Sequence, residues 1–243
     1  MTLGVAACGG SEPQASAAAG APTAAEVADE TTQPAPVPPT VAAASVAPTP
    51  TDESSVRLFG QDGVESAYRE VVELATVLAL DPEWTLHDGD NEVSDLDAVL
   101  AGRYYEAQAG YIRDRAEACD DDDAQACFDV LAQVLFDLTV SAEDQGVLEY
   151  RPDGEFVTAQ SLTDPTVTTI DIEGTDGLRI AFAHTATMRM ISGGTPLTAT
   201  MTRHLSYDLW PAPAGNAQPW WIVNWSLDYE GEVIDETTGE ALA

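Results

Sequence analysis

The chain has 243 residues, of which 42 are Asp or Glu and 9 are basic, so its formal net charge is -33. All nine basic residues are Arg, and no surface can gather the positive charge that a nucleic-acid backbone requires. The same negative charge repels anionic lipid headgroups, so attachment to a membrane would need something other than electrostatics. A hydrophobic fraction of 44% is sufficient for one ordinary core.

The first eight residues end in Val5-Ala6-Ala7-Cys8, an aliphatic residue three positions before a cysteine with two small residues between them. This pattern resembles the lipobox of bacterial lipoproteins. The resemblance implies that Cys8 becomes the mature N-terminus and carries acyl chains, palmitate among them, which anchor it stably to a membrane. The apolar run before Cys8 is shorter than a signal peptide needs, so we expect the true translation start to lie upstream. The alternative is a soluble protein with a disordered tail and an incidental cysteine.

Residues 9–55 contain no aromatic and no basic residue and are rich in Ala, Pro and Thr. Such a composition cannot build a core, and its prolines favour extended backbone. We therefore predict three parts: a remnant of the signal peptide and lipobox at 1–8, a disordered tether at 9–55, and a single domain at 56–243.

The chain has three cysteines, an odd number that needs an explanation in an exported protein. If Cys8 is lipidated, Cys119 and Cys127 remain as a disulfide pair that would staple two helices. Two separate thiols in a cytosolic protein are the alternative. Both the lipid and the disulfide need an exported chain, which predicts a location on the outer face of the cytoplasmic membrane.

The pattern of apolar residues predicts helices first and strands later. Helical spacing is found over 62–80, over 94–117 and again over 128–136. From about residue 146 the period changes to two. The predicted strands are 147–151 and 155–158, joined by a hairpin turn at 152–154, then 167–172, 178–191, 197–210 and 220–230.

This order predicts an α+β fold in which N-terminal helices pack on a curved antiparallel sheet. It resembles the cone-shaped folds of the ketosteroid isomerase and nuclear transport factor superfamily. The resemblance implies a pocket between the helices and the sheet. Members of that superfamily include isomerases, dehydratases and noncatalytic binding or assembly modules.

Three polar residues interrupt the apolar faces of the predicted strands: His184, Arg203 and Tyr207. A cluster of such groups in an apolar hollow could form a small-molecule pocket. The alternative is a buried His and Arg satisfied by neighbouring carboxylates. No pair of residues maps onto the acid and oxyanion donor of proton-abstracting superfamily members. His204, on the other side of its strand, is expected to face solvent.

Four of the five Trp residues lie close together in the sequence, at 210, 220, 221 and 225. Trp210, Trp220, Trp221 and Trp225 could form an aromatic contact surface for a sugar or a protein, although core packing is the expected role for most of them. Two acidic stretches do not make a metal site. The run at 88–92 starts like a calcium loop, but Val93 and Val99 stand where Gly and Glu are needed. Residues 120–123 could hold a cation loosely, but we expect them to be a solvated charge run. We predict no catalytic residue, no metal and no cofactor.

The sequence therefore favours a noncatalytic, lipid-anchored extracytoplasmic domain that binds a protein, a glycan or a small ligand. A cone-fold isomerase or dehydratase acting on a small apolar molecule through His184, Arg203 or Tyr207 is the alternative. A module that dimerises through its sheet is a third interpretation.

Overall fold

The computed structural model describes residues 37–50, 52–82, 100, 102–120 and 148–242, all within one compact unit that spans Pro36–Ala243. The helices are α1 (Glu53–Thr76), a 3-10 helix (Leu78–Leu80) and α2 (Glu106–Asp120). The strands are β1 (Thr40–Val41), β2 (Ser45–Val46), β3 (Leu148–Tyr150), β4 (Glu155–Ile172), β5 (Thr175–Ser192), β6 (Thr195–Pro211), β7 (Trp220–Asp235) and β8 (Ala241–Leu242).

Four long strands form an antiparallel meander in the order β4-β5-β6-β7, and the short strands flank it. Tight turns join β4 to β5 at Glu173-Gly174 and β5 to β6 at Gly193-Gly194, where the backbone adopts positive φ. The helices-then-meander order and the α+β class are confirmed. The sheet is mixed, because β1 and β2 both run parallel to β4.

The predicted hairpin between 147–151 and 155–158 is wrong. A turn does occur at 152–154, where Gly154 has φ 76° and its N–H bonds to the carbonyl of Arg151. However, β3 pairs with the far end of β5, opposite Met190–Ser192, and β4 joins β5 from Val157 onward. The long β5 can accept both segments along one edge, and this non-local pairing leaves no local sequence signal.

The folded unit begins before residue 56. The backbone N–H groups of Thr40, Ala42 and Ala47 donate to carbonyls of β4 or of the turn before it, at 2.9 to 3.3 Å. These contacts use main-chain groups, so the absence of aromatic side chains from this stretch does not prevent them. The last part of the predicted tether therefore lies along the edge of the sheet, while the part before residue 37 is outside the described residues.

Helix α1 starts nine residues before the predicted Asp62. Asp52 is the N-cap, and its carboxylate accepts a hydrogen bond from the N–H of Ser55 at 2.7 Å. Gly60, at φ 74° and ψ 160°, interrupts the helix, which explains why the apolar periodicity becomes clear only after it. Within the predicted helix 94–117, the structure describes α2 from residue 106, and the predicted helix 128–136 lies outside the described residues.

Two clusters of buried apolar side chains form the core. The larger combines residues of α1 such as Val71 and Leu74 with Leu178, Ile180 and Leu209 of the sheet. The smaller gathers Phe156 and the methionines of β5 and β6 around Leu80. One face of the meander therefore supplies side chains to the same core as α1.

Candidate functional site

The three predicted pocket residues lie on the core-facing side of the sheet. His184 is directly opposite Arg203, and Tyr207 is opposite Ile180 on the same pair of strands. His184 is 0% exposed, and Arg203 and Tyr207 are each 3% exposed. The prediction that they share one face is confirmed by this register.

His184 has both ring nitrogens engaged. Its Nδ1 lies 3.0 Å from an Nη of Arg203, and its Nε2 lies 3.0 Å from Oε1 of Gln160. Because a guanidinium can only donate, Nδ1 must be the acceptor, so Nε2 carries the hydrogen and donates to Gln160. The same Arg203 nitrogen also donates to the carbonyl of Ala75, near the end of α1, at 2.9 Å.

Gln160 completes this buried network from the other side. Its Nε2 donates to the carbonyl of Ala42 at 2.6 Å and to that of Thr76 at 3.1 Å. The network therefore joins the N-terminal segment, the end of α1 and two strands. Both amide atoms of Gln160 and both ring nitrogens of His184 are hydrogen-bonded to other described residues of the chain.

Burial sets the charge states of the network. Desolvation, assisted by the charge of Arg203, lowers the pKa of His184 to about 3, so the imidazole is neutral at physiological pH. Desolvation also lowers the pKa of Arg203 to about 10 and raises that of Tyr207 to about 12. Arg203 therefore stays cationic and Tyr207 stays protonated at neutral pH.

A second buried polar group escaped the sequence analysis. Glu70 of α1 is 5% exposed, and neither carboxyl oxygen has a hydrogen-bond partner among the described residues. Burial raises its pKa to about 7, and the nearby charge of Arg103 opposes this rise. Helical spacing was the available signal, since Glu70 follows Ala67 by three positions and precedes Leu74 by four, both in the core.

Arg103, whose charge acts on Glu70, is also buried, and so is Tyr104, which follows it in the chain. Arg103 is 7% exposed, and one of its nitrogens lies 3.3 Å from Oε1 of Glu73. Tyr104 is 3% exposed, its hydroxyl has no hydrogen-bond partner among the described residues, and burial raises its pKa. A phenol and a protonated carboxyl group could both donate to a carbonyl oxygen; burial keeps the Tyr104 phenol protonated, whereas Glu70, with a pKa of about 7, is only partly protonated at neutral pH.

The four tryptophans do not form one surface. A bulge in β7 makes Asp208 pair with Asn224 but Leu209 pair with Ile222, so Val223 is an extra residue. This shift places Trp221 beside Trp210 on the outer face of the sheet, whereas Trp225 lies on the opposite face beside Tyr207. Nothing in the local sequence marks the bulge.

Each of these four tryptophans has an aromatic neighbour. Trp220 is 4% exposed and lies edge-on to Phe59 with ring centroids 5.2 Å apart. Trp225 meets Tyr104 edge-on at 5.4 Å on the core side. Trp210 and Trp221 flank Tyr105 at 5.2 and 5.6 Å, and together they form a partly exposed aromatic group on the outer face.

An open groove of about 460 Å³ crosses the outer face of β5, β6 and β7. Small side chains form its floor, among them Ala181, Ala183 and Ser206. His204 and Asp228 line it too and are a cross-strand pair. The His204 side chain is 55% exposed, as expected for a solvent-facing residue.

The described residues test the cysteine and membrane predictions only in part. Cys119 is 5% exposed and disulfide-bonded, whereas Cys8 and Cys127 lie outside the described residues, so the pairing of Cys119 with Cys127 stays a prediction. None of the described helices is long and apolar enough to cross a membrane. In the described part of the chain, His, Cys, Asp and Glu do not gather into a group of three that could hold a metal ion.

Comparison of this chain with protein-family models, with curated proteins and with solved structures finds no match.

Proposed function

We propose that this protein is a noncatalytic, lipid-anchored extracytoplasmic domain that binds a partner at the cell surface. The observation that carries the noncatalytic part is the closed network of His184, Arg203 and Gln160. His184 and Arg203, two of the three residues considered as a reactive cluster, are engaged in contacts between strands and helix instead.

A reactive histidine needs a free nitrogen and a pKa near the working pH. His184 offers neither, because both nitrogens are bonded and its pKa is about 3. Its fully buried ring also leaves no path for a substrate. Arg203 is tied to the same ring and to α1, so drawing it toward a substrate would break contacts between helix and sheet.

The anchoring part of the proposal rests on the sequence. Val5-Ala6-Ala7-Cys8 matches the lipobox pattern, and the long Ala- and Pro-rich stretch after it suits a tether between a lipid anchor and a folded unit. A lipid anchor also explains how a chain with a net charge of -33 could remain at an anionic surface. The disulfide at Cys119 favours the same oxidising compartment.

Cell fractionation tests the anchor. We expect the full chain to sediment with membranes from the cells that make it, and Cys8→Ser to move to the soluble fraction. Ser11→Ala, three residues away, is the matched control and should stay with the membranes. Equal distribution of the Cys8→Ser variant and the unsubstituted protein would contradict the anchor.

The buried carboxyl of Glu70 favours a second candidate, the cone-fold isomerase or dehydratase. A carboxyl group with a pKa near 7 is suited to proton transfer, and the buried hydroxyl of Tyr104 could stabilise an enolate oxygen. The first candidate is preferred because burial alone accounts for the raised pKa of Glu70, without a catalytic role.

Proton exchange separates these two candidates. A small apolar ketone is incubated in D2O with the full chain, and loss of its α-proton signal is followed by NMR. The noncatalytic proposal predicts no exchange above the rate in buffer. Exchange above that rate which disappears in Glu70→Gln, but persists in the exposed control Glu65→Gln, would establish the enzyme and overturn the noncatalytic proposal.

A further inference from the structure

Strand β7 has one paired edge and one largely open edge. Its paired edge follows β6 along the whole strand. On the other edge, Ile222 bonds to the backbone of residues 103 and 105, and Val233 and Ile234 pair with β8. Between these points, residues 224–232 have no backbone partner on that edge among the described residues.

The hydrogen bonds at the end of β7 show which groups face the open edge. The N–H of Asp235 donates to the carbonyl of Glu240 at 3.0 Å, on the side away from β6. In an antiparallel strand both backbone groups of a residue point to the same side, and the side alternates along the chain. Leu227, Tyr229 and Gly231 therefore present their N–H and C=O groups outward.

The side chains along this edge are also sorted by alternation. Trp225, Leu227 and Tyr229 lie on the core-facing side, where Tyr229 is 52% exposed. Asp228, Glu230 and Glu232 lie on the opposite side and are all exposed. Asp228 also lines the outer groove, so a long side chain lying across this edge could enter it.

We propose that this open edge, residues 224–232 of β7, binds an extended segment of a partner protein in which Arg or Lys alternates with apolar residues. The segment would add a strand to the sheet, bonding to Leu227, Tyr229 and Gly231. Its basic side chains would face Asp228, Glu230 and Glu232, and its apolar ones would cover Leu227 and Tyr229. This inference specifies the binding surface of the proposed function and rests on it.

Charge decides between a basic partner and a second copy of the chain. In a twofold pairing of β7 with β7, the carboxylates at 228, 230 and 232 would face those of the other copy on one side of the sheet. Like charges directly opposite each other destabilise a strand pair. Acidic residues on an exposed edge are a known means of preventing such self-association.

A synthetic peptide provides the probe: eight residues of alternating Arg and Val, blocked at both ends, with an alternating Glu and Val peptide as the matched control. Binding to the full chain is measured by calorimetry, and amide hydrogen exchange is followed with and without peptide. We expect the basic peptide to bind and to slow amide exchange at Leu227, Tyr229 and Gly231, and the acidic control peptide not to bind. Failure to bind, or binding without protection of these amides, would overturn the inference.

Charge variants separate specific recognition from general attraction. Asp228→Lys, Glu230→Lys and Glu232→Lys together should weaken binding by at least about tenfold. The control replaces Asp62, Glu65 and Asp176, which are exposed elsewhere, with Lys and causes the same change in net charge. A similar loss in both variants would mean that only the overall charge attracts the peptide, and would contradict the proposed site.

Tyr229→Pro tests the backbone contact directly. The outward N–H of Tyr229 is not used by β6, so proline at this position should leave the meander folded while blocking strand addition. We expect binding to be lost in this variant and kept in Tyr229→Val, with circular dichroism showing both to be folded. If Tyr229→Pro unfolds, the amide protection data decide the matter.

A dimer in sedimentation that Asp228→Lys strengthens would identify a second copy as the occupant and overturn the proposal of a basic partner.

The two proposals can fail separately. If the basic peptide does not bind but Cys8→Ser moves to the soluble fraction, the edge of β7 is excluded as the binding site and the proposal of a lipid-anchored domain stands.

Discussion

Glu70 and His184 are both buried ionisable residues, but their surroundings differ. His184 is hydrogen-bonded at both nitrogens, whereas Glu70 has no hydrogen-bond partner among the described residues. A bonded neutral imidazole stabilises the network around it. A buried carboxyl without a hydrogen-bond partner lowers stability in both forms, and it lowers stability more when it is ionised.

Glu70 should make stability fall as the pH rises. Its pKa of about 7 in the folded protein lies above the ordinary value of 4.5, so between these values the folded state holds more protons than the unfolded state. Raising the pH through this window should lower the free energy of unfolding by on the order of 2 to 3 kcal/mol. Urea unfolding at pH 5 and pH 8 measures this loss.

The substitution Glu70→Gln should remove this part of the pH dependence. The unfolding free energy of the variant minus that of the unsubstituted protein is expected to be larger at pH 8 than at pH 5. The control Glu65→Gln removes an exposed carboxyl from the same helix. Parallel stability curves for Glu70→Gln and the unsubstituted protein would contradict a raised pKa.

Gly177 is a position where one methyl group should be costly. A Cβ there would lie 2.6 Å from the carbonyl oxygen of Leu209 and 3.2 Å from Cδ1 of Trp210. We expect Gly177→Ala to lower the free energy of unfolding by about 1 to 3 kcal/mol because neighbouring backbone must move. Gly110→Ala is the matched control, since Gly110 lies in α2 with no atom within 4 Å of its Cβ position.

Gly110→Ala should instead stabilise the protein by about 0.5 to 1 kcal/mol, as expected inside a helix. Thermal unfolding of both glycine variants checks the pair. A neutral or stabilising Gly177→Ala would show that β5 and β6 are not packed as closely as described.

At the scale of elements, Gln160 is the residue that ties strands to helix. It bonds to Ala42, Thr76 and His184. Gln160→Leu removes these bonds and leaves a buried imidazole N–H and two carbonyls without this partner. We expect a loss of about 2 to 4 kcal/mol in unfolding free energy, larger than that of Gln61→Leu, which changes an exposed position.

Urea unfolding of both glutamine variants tests this role. Amide exchange in residues 40–47 should also accelerate in Gln160→Leu, because Ala42 loses a side-chain contact. Equal stability of the two variants would mean that the network does not join these elements.

Elements with a local signal were predictable from the sequence. Alternation over β5 and β6 gave their faces, and the glycine turns between strands marked the meander. The local sequence does not predict three other features, because each depends on a partner distant in the chain. These are the bulge at Val223, the pairing of β3 with β5 and the edge contacts of residues 40–46. For the same reason, the bonds that close the His184 site could not be derived, although the burial of its three residues on one face could.

The whole molecule carries a large negative charge that should destabilise it at low ionic strength. With 42 acidic and 9 basic residues, repulsion in the compact state exceeds that in the expanded chain. Added NaCl screens this repulsion, with a Debye length that falls from about 30 Å at 0.01 M to about 3 Å at 1 M. We therefore expect Tm to rise with NaCl, by roughly 3 °C for each kcal/mol gained.

A scanning calorimetry series in NaCl, repeated in KCl, checks this expectation. Both salts should act equally, because the effect is screening rather than binding of one cation. A Tm that stays constant across the series would contradict it.

We propose above that the chain is exported and held at the membrane by Cys8. Mass spectrometry of the protein isolated from membranes of its own cells tests this most directly. The account predicts an N-terminal peptide that begins at Cys8 and carries the mass of a diacylglyceryl group, together with a disulfide-linked pair of peptides containing Cys119 and Cys127. An unmodified Cys8 still joined to residues 1–7 would contradict it.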